Sequence, residues 1–323
     1  MRYKIIILCL LCVSVFPAIA QQYKAELPYR MVGGKMVVEM KLNGTLRSFI
    51  FDTGASRTTL TGEFCREYGL VVTDSLEVTD ANGRKSFYPL VQIDSIETPD
   101  NVFRFKNVPA MKLPEPSPLA CFPIDGLIGS DLLAQSIVVI DGQKKTVTIT
   151  TAEKESIVSL RKMARFMQAR MPVISLQVGS GHNIICLFDT GCPRFLSLKE
   201  SDFEALPSGS AYEFLSEGRS VGSIGVGGIA AERVSRRVNF PLLSVAGTKF
   251  KNVIAETATP PYTLLGVKLL DYGKVTIDYP RARFYFESYK PENELGEKPH
   301  NVGLQVKDGD LVVAAVWGDM KDV

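Results

Sequence analysis

Short apolar stretches separated by turn residues run along most of this chain. Met36 to Leu42 alternates imperfectly between apolar and polar positions, Asn43-Gly44 follows, and Ser48 to Phe51 is apolar again. That succession predicts two strands joined by a tight turn, because Asn-Gly accepts the positive φ angles of a two-residue hairpin loop. A similar succession returns at Val173 to Val178, Gly179-Ser180-Gly181 and Ile184 to Phe188. Leu76 to Leu90 predicts a further hairpin around Asn82-Gly83. Gly62 to Leu70 instead carries a short helical pattern, with Phe64, Cys65 and Tyr68 on one side. Ala152 to Arg170 is charged and holds neither proline nor glycine, a pattern that fits a short helix or an extended linker equally.

The first two hairpins lead into one tetrapeptide. Phe51-Asp52-Thr53-Gly54 recurs as Phe188-Asp189-Thr190-Gly191. Leu127-Ile128-Gly129 ends 77 residues after Asp52, and Leu264-Leu265-Gly266 ends 77 residues after Asp189. Val138-Val139-Ile140-Asp141 and Val275-Thr276-Ile277-Asp278 each end 89 residues after their own aspartate. Three landmarks at equal offsets mark an internal duplication. The lobes are expected at residues 28–150 and 171–287, joined by 151–170.

Composition removes several alternatives. The 323 residues suffice for two cores. With 46% hydrophobic and 22% charged residues, the chain is neither disordered nor fibrous. A formal charge of +2 offers no electrostatic case for nucleic acid or an anionic membrane. Two histidines, His182 and His300, leave little from which to build a Ser-His-Asp triad or a multi-histidine metal site.

Residues 1–20 have the layout of a signal peptide: Arg2 and Lys4, an apolar run from Ile5 to Phe16, and Ala18-Ile19-Ala20 as the cleavage site. The mature protein is therefore expected to be exported, to the periplasm, cell envelope or exterior, with no membrane span. Cleavage removes Cys9 and Cys12. The remaining Cys65, Cys121, Cys186 and Cys192 allow three pairings, and most of them are expected to pack as small hydrophobes.

Asp-Thr-Gly twice, each copy after an apolar strand and each followed by an apolar-apolar-Gly segment, resembles the aspartic peptidases: the retropepsin-like module present twice, as in the two-lobe pepsin-like enzymes. The first lobe carries the fuller match, Phe51-Asp52-Thr53-Gly54-Ala55-Ser56 and Asp125-Gly126-Leu127-Ile128-Gly129-Ser130-Asp131-Leu132-Leu133. The resemblance implies an all-β fold of two homologous β-barrel lobes with the active site between them. It implies Asp52 and Asp189 as catalytic residues, braced by Thr53 and Thr190, with Gly54 and Gly191 letting each loop pass close to a neighbouring strand. Two carboxylates at one point cannot both ionise, so the pair holds a proton and acts as acid and base towards water and a peptide bond. No cofactor or metal is needed, and a chain holding both aspartates is expected to act as a monomer on peptide or protein substrates.

Asn82 and Gly83 mark the tip of a candidate flap, with an ordinary surface hairpin as the alternative. The matching part of the second lobe is Gly222-Ser223-Ile224-Gly225-Val226-Gly227-Gly228, expected to be a glycine-rich hairpin at the cleft mouth. Its likeness to a dinucleotide fingerprint lacks the surrounding βαβ pattern. Cys192-Pro193 departs from the family after the second motif, which leaves a non-catalytic peptide-binding protein as the rival function. Over 288–323 the chain is polar, and Gly303-Leu304 with Asp308-Gly309 resembles the opening of a PDZ domain. A truncated module is expected there, with extra strands on the second lobe as the alternative.

Overall fold

The Asn43-Gly44 turn forms as its chemistry requires, with φ of 48° and 83° at the two residues. In this computed structural model it joins β2 (Lys35–Leu42) to β3 (Thr45–Phe51), after β1 (Lys24–Val32). The structure describes residues 23–117, 119, 121–151, 162–168, 170–221, 224–229, 231–296, 300–307 and 310–318. The expected signal peptide, the first half of the interlobe connection and Asp308-Gly309 lie outside these residues.

The first lobe continues with β4 (Thr59–Leu60), α1 (Gly62–Glu67), β5 (Val72–Thr79), β6 (Lys85–Glu97), β7 (Arg104–Lys112) and β8 (Gly126–Ile128). It closes with α2 (Ser130–Leu133), β9 (Ser136–Asp141) and β10 (Thr146–Thr151). Strands β2-β3-β8-β4-β7-β6 form a ring, because β6 pairs back onto β2 at Leu42 and Ile96. Met36, Val38, Met40 and Leu42 fill its interior, each fully buried and contributing roughly 1.5–3 kcal/mol. Val37 points the other way and packs with Ile50 and Leu127 in a second apolar cluster. The face that otherwise carries Lys35, Glu39 and Lys41 is thus apolar at Val37, which explains the imperfect alternation. The six-residue α1 is too short to stand alone. The Thr61 hydroxyl caps it by accepting from the Phe64 N–H, and Phe64 and Cys65 anchor it in the core.

The second lobe repeats this plan. Its elements are β11 (Met163–Arg165), β12 (Val173–Val178), β13 (His182–Asp189), β14 (Leu196–Lys199), α3 (Glu200–Ala205) and β15 (Glu213–Val221). Then come β16 (Ile224–Gly225), β17 (Gly228–Ile229), β18 (Glu232–Val245), β19 (Thr248–Ala258) and β20 (Thr263–Gly266). A 3-10 turn (Val267–Asp271), β21 (Gly273–Asp278) and β22 (Arg283–Ser288) complete it. Strands β12-β13-β20-β14-β19-β18 close the equivalent ring. The fold is all-β with two homologous barrels.

A sheet in the order β11-β22-β21-β9-β10-β1 joins the lobes. At its centre Val139 pairs with Thr276, its own counterpart in the other lobe, with Val138 on Ile277 and Ile140 on Val275 to either side. A pseudo-twofold axis therefore runs through that pair. At the sheet's ends Glu26 pairs with Thr148 as Met163 pairs with Tyr285. The duplication thus begins with β1, ahead of residue 28, and the connection includes the short strand Met163–Arg165.

The tail forms β23 (Asn293–Glu294), β24 (Val302–Lys307) and β25 (Asp310–Trp317). Strand β25 pairs with β15, so the β24–β25 hairpin extends the second-lobe sheet. The described tail residues thus lie on the edge of the second-lobe sheet. Trp317 is buried with its ring 4.1 Å from the Arg237 guanidinium, which also pairs with Glu256 at 2.6 Å. Among the described residues no helix is long and apolar enough to cross a membrane.

Candidate active site

Each barrel brings its motif to the lobe boundary by the same local device. Strand β8 runs parallel to β3, setting Leu127 beside Ile50 and Ile128 beside Phe51, and β20 does the same to β13. Gly129 and Gly266 make this possible. A Cβ on Gly129 would sit 2.5 Å from the Arg57 carbonyl carbon, and one on Gly266 would sit 2.1 Å from the Arg194 carbonyl oxygen. The strands end with Asp52 and Asp189 facing each other.

The threonines tie the loops across the boundary. The Thr53 N–H donates to Thr190 Oγ1 at 3.0 Å, and the Thr190 N–H donates to Thr53 Oγ1 at 3.1 Å. The hydroxyls continue into the opposite strands, Thr53 to the Phe188 carbonyl at 2.8 Å and Thr190 to the Phe51 carbonyl at 2.6 Å. All four bonds cross between lobes, and both threonines are fully buried. The motif glycines have a different reason from the expected strand clearance: each leaves room for the other lobe's carboxylate. A Cβ on Gly54 would lie 2.5 Å from Asp189 Cγ, and one on Gly191 would lie 2.6 Å from Asp52 Oδ2.

The carboxylates are held unequally. Asp52 Oδ1 accepts from the N–H groups of Gly54 at 2.9 Å and Ala55 at 3.0 Å. Asp189 Oδ1 accepts from the Gly191 N–H at 2.7 Å, while the Cys192 N–H goes to the Asp189 backbone carbonyl. Burial, then the charge of Asp52 and the hydrogen bond between the two carboxyls, holds Asp189 well above the usual carboxylate range, so the pair retains a proton where a lone carboxyl would have lost it. The arrangement is a carboxylate pair that can offer a base and an acid at one point. Burial and the Asp189 charge also push the Cys192 thiol up to about 11, and burial raises Cys186. These thiols stay protonated and pack as small hydrophobes, as does Cys65; all four described cysteines are unpaired, and Cys121 is exposed.

A cleft of about 920 Å³ opens over the pair. Ile50, Leu127 and Met111 line it from the first lobe, and Leu187, Leu264 and Tyr262 from the second. The β5–β6 hairpin crosses it, with Leu76 to Ala81 in the lining. Its turn is closed by Asp80 Oδ1, which accepts from the N–H groups of Asn82 and Arg84. Asn82 Nδ2 donates to the Gly228 carbonyl at 3.1 Å, so the tip reaches the β16–β17 hairpin of the opposite lobe. Gly83 turns at φ 75°, and a Cβ there would lie 3.8 Å from the Thr259 carbonyl oxygen of the opposite lobe. The hairpin thus lines the cleft and meets the opposite lobe.

Sequence reasoning missed two residues of this site. Lys35 donates to the Gly191 carbonyl and lines the cleft, although only its place after Gly33-Gly34 marked it. Asp131 fixes the first loop by accepting from the Thr58 N–H and hydroxyl, at 2.9 and 2.8 Å. Its place two residues after Gly129, with no acid at Lys268 in the other lobe, was the available signal. No curated protein matches the chain. Residues 38–132, most of the first lobe and all of its motif, match the family model described as aspartyl protease.

Proposed function

We propose that this protein is an exported aspartic endopeptidase in which Asp52 and Asp189 jointly activate water against a peptide bond. The observation that carries the reading is the contact between two motif carboxylates contributed by different lobes and braced by reciprocal threonine bonds. The ionised carboxylate takes a proton from water as the oxygen attacks the peptide carbonyl carbon, and the protonated one donates to the carbonyl oxygen. Collapse of the tetrahedral intermediate passes a proton to the leaving nitrogen and breaks the C–N bond. The hairpin around Asn82 and Gly83 would exclude bulk water from the reacting bond. The mature chain would work as a monomer with lobes at about 28–150 and 171–287. The rival reading, a peptide-binding protein without catalysis, rests on Cys192-Pro193, yet the Gly191 N–H still meets Asp189 beside that departure.

The test is digestion of a denatured protein across a pH range by the parent, Asp52→Asn, Asp189→Asn and the double variant. Each single change should remove nearly all cleavage and the double should be no worse, since groups acting as a unit are grossly non-additive. Activity per molecule should not fall on dilution. Two half-active single variants would sink the mechanism.

A further inference from the structure

Lys35 opens β2 after the Gly33-Gly34 turn, and that turn reaches the other lobe. A Cβ on Gly34 would come within 2.8 Å of Pro193 Cβ, so the hairpin sits directly against the second motif loop. The Lys35 ammonium donates to the carbonyl of Gly191, the residue whose N–H donates to Asp189. A cation from one lobe is thereby fixed on the loop of the other lobe's aspartate. Its charge favours the ionised form of Asp189, opposing burial and the charge of Asp52.

The other charged groups around the cleft are engaged elsewhere or set apart from that loop. Asp131 is held by Thr58, and Arg57 lies on the same first-lobe segment. Arg194 pairs with Glu256, and Arg170 lines the cleft ahead of β12. On the β5–β6 hairpin Glu77 pairs with Lys85, and Asp80 closes its own turn. Cys192 and Tyr279, which sense Asp189 and Asp52 respectively, are both pushed up and stay neutral. At the matching register of the second lobe stands an uncharged residue. Val37 pairs with Ile50 as Val173 pairs with Leu187, so the register sets Met171 where the first lobe has Lys35.

We propose that Lys35 is a positioning residue of the carboxylate pair, pinning the second motif loop across the lobe boundary and supplying a fixed charge that favours the singly ionised pair. The inference rests on the peptidase reading for its catalytic meaning, but its electrostatic content can be read without turnover. Lys35→Met copies the other lobe's residue, and Lys35→Arg keeps the charge. Carbon-13 NMR of the aspartate carboxyls, with peptide cleavage measured in parallel, gives the pair's two macroscopic titration steps.

In Lys35→Met both steps should move to higher pH by about one unit, as expected for removing a nearby opposite charge. The pH–rate profile should follow, with kcat falling more than KM changes, and Lys35→Arg should restore both. Lys35→Gln takes the place of methionine if that variant does not fold. Unmoved steps in a folded neutral variant, or a shift that arginine leaves in place, would overturn the proposal. Absence of cleavage by the parent would instead remove the peptidase reading, while the titration still decides the role of Lys35.

Discussion

Thr53→Val isolates the interlobe brace, because valine keeps the shape and removes only the hydroxyl. Thr53 Oγ1 accepts from the Thr190 N–H and donates to the Phe188 carbonyl. Both partners sit at a fully buried position, so the substitution leaves one donor and one acceptor unsatisfied. At ~1–3 kcal/mol for each orphaned group, the cost is ~2–6 kcal/mol. Against a total stability of ~5–15 kcal/mol for a typical domain this is a large fraction. Thr53→Ser keeps the bonds and loses one buried methyl, at a cost of ~1 kcal/mol. Urea unfolding followed by circular dichroism measures both, with the midpoint moving at constant slope. If Thr53→Val stayed within ~0.5 kcal/mol of the parent, or serine cost as much as valine, the brace would not be a stabilising element.

Two further outcomes follow from the charge state of the pair. Asp189 is held above its unfolded value near 4, so the folded state binds the extra proton and stability is greatest at low pH. Stability should decline as pH rises through the folded value; thermal melting from pH 4 to 9 should show a weaker decline in Asp189→Asn, and equal slopes would contradict the assignment. Ala55→Ser and Cys192→Ser each add a hydroxyl next to a motif, where a bond to the ionised pair would favour the anion. Their pH–rate profiles should move towards acid, and an alkaline shift in a folded variant would refute this account.

Sequence alone carried the duplication, the barrel hairpins and the two motifs, because each depends on local chemistry repeated at a fixed spacing. Asn43-Gly44 sets its turn through its own φ preferences, and Gly129 and Gly266 stand where any Cβ would collide. The missed elements depend on partners far along the chain. Met163–Arg165 is too short to show a period and becomes a strand only against β22. Ala25, Leu27 and Tyr29 alternate in β1, yet their role in joining the lobes requires β10 as neighbour. The tail's strands are settled by β15 and by Trp317 meeting Arg237. Lys35 reads as any surface lysine until the second lobe is in place.

The axis through Val139 and Thr276 has a consequence for how such a site can diversify. Two identical chains meeting about that axis would carry every change twice, so a lysine beside one aspartate would bring a second lysine beside the other. Joining the halves in one polypeptide removes that obligation. Lys35 against Met171, Ala55 against Cys192 and Asp131 against Lys268 are pairs that a symmetric assembly could not hold. The covalent connection therefore gives each half of the pair its own inheritance, and the unequal surroundings of Asp52 and Asp189 are differences that two identical chains could not keep.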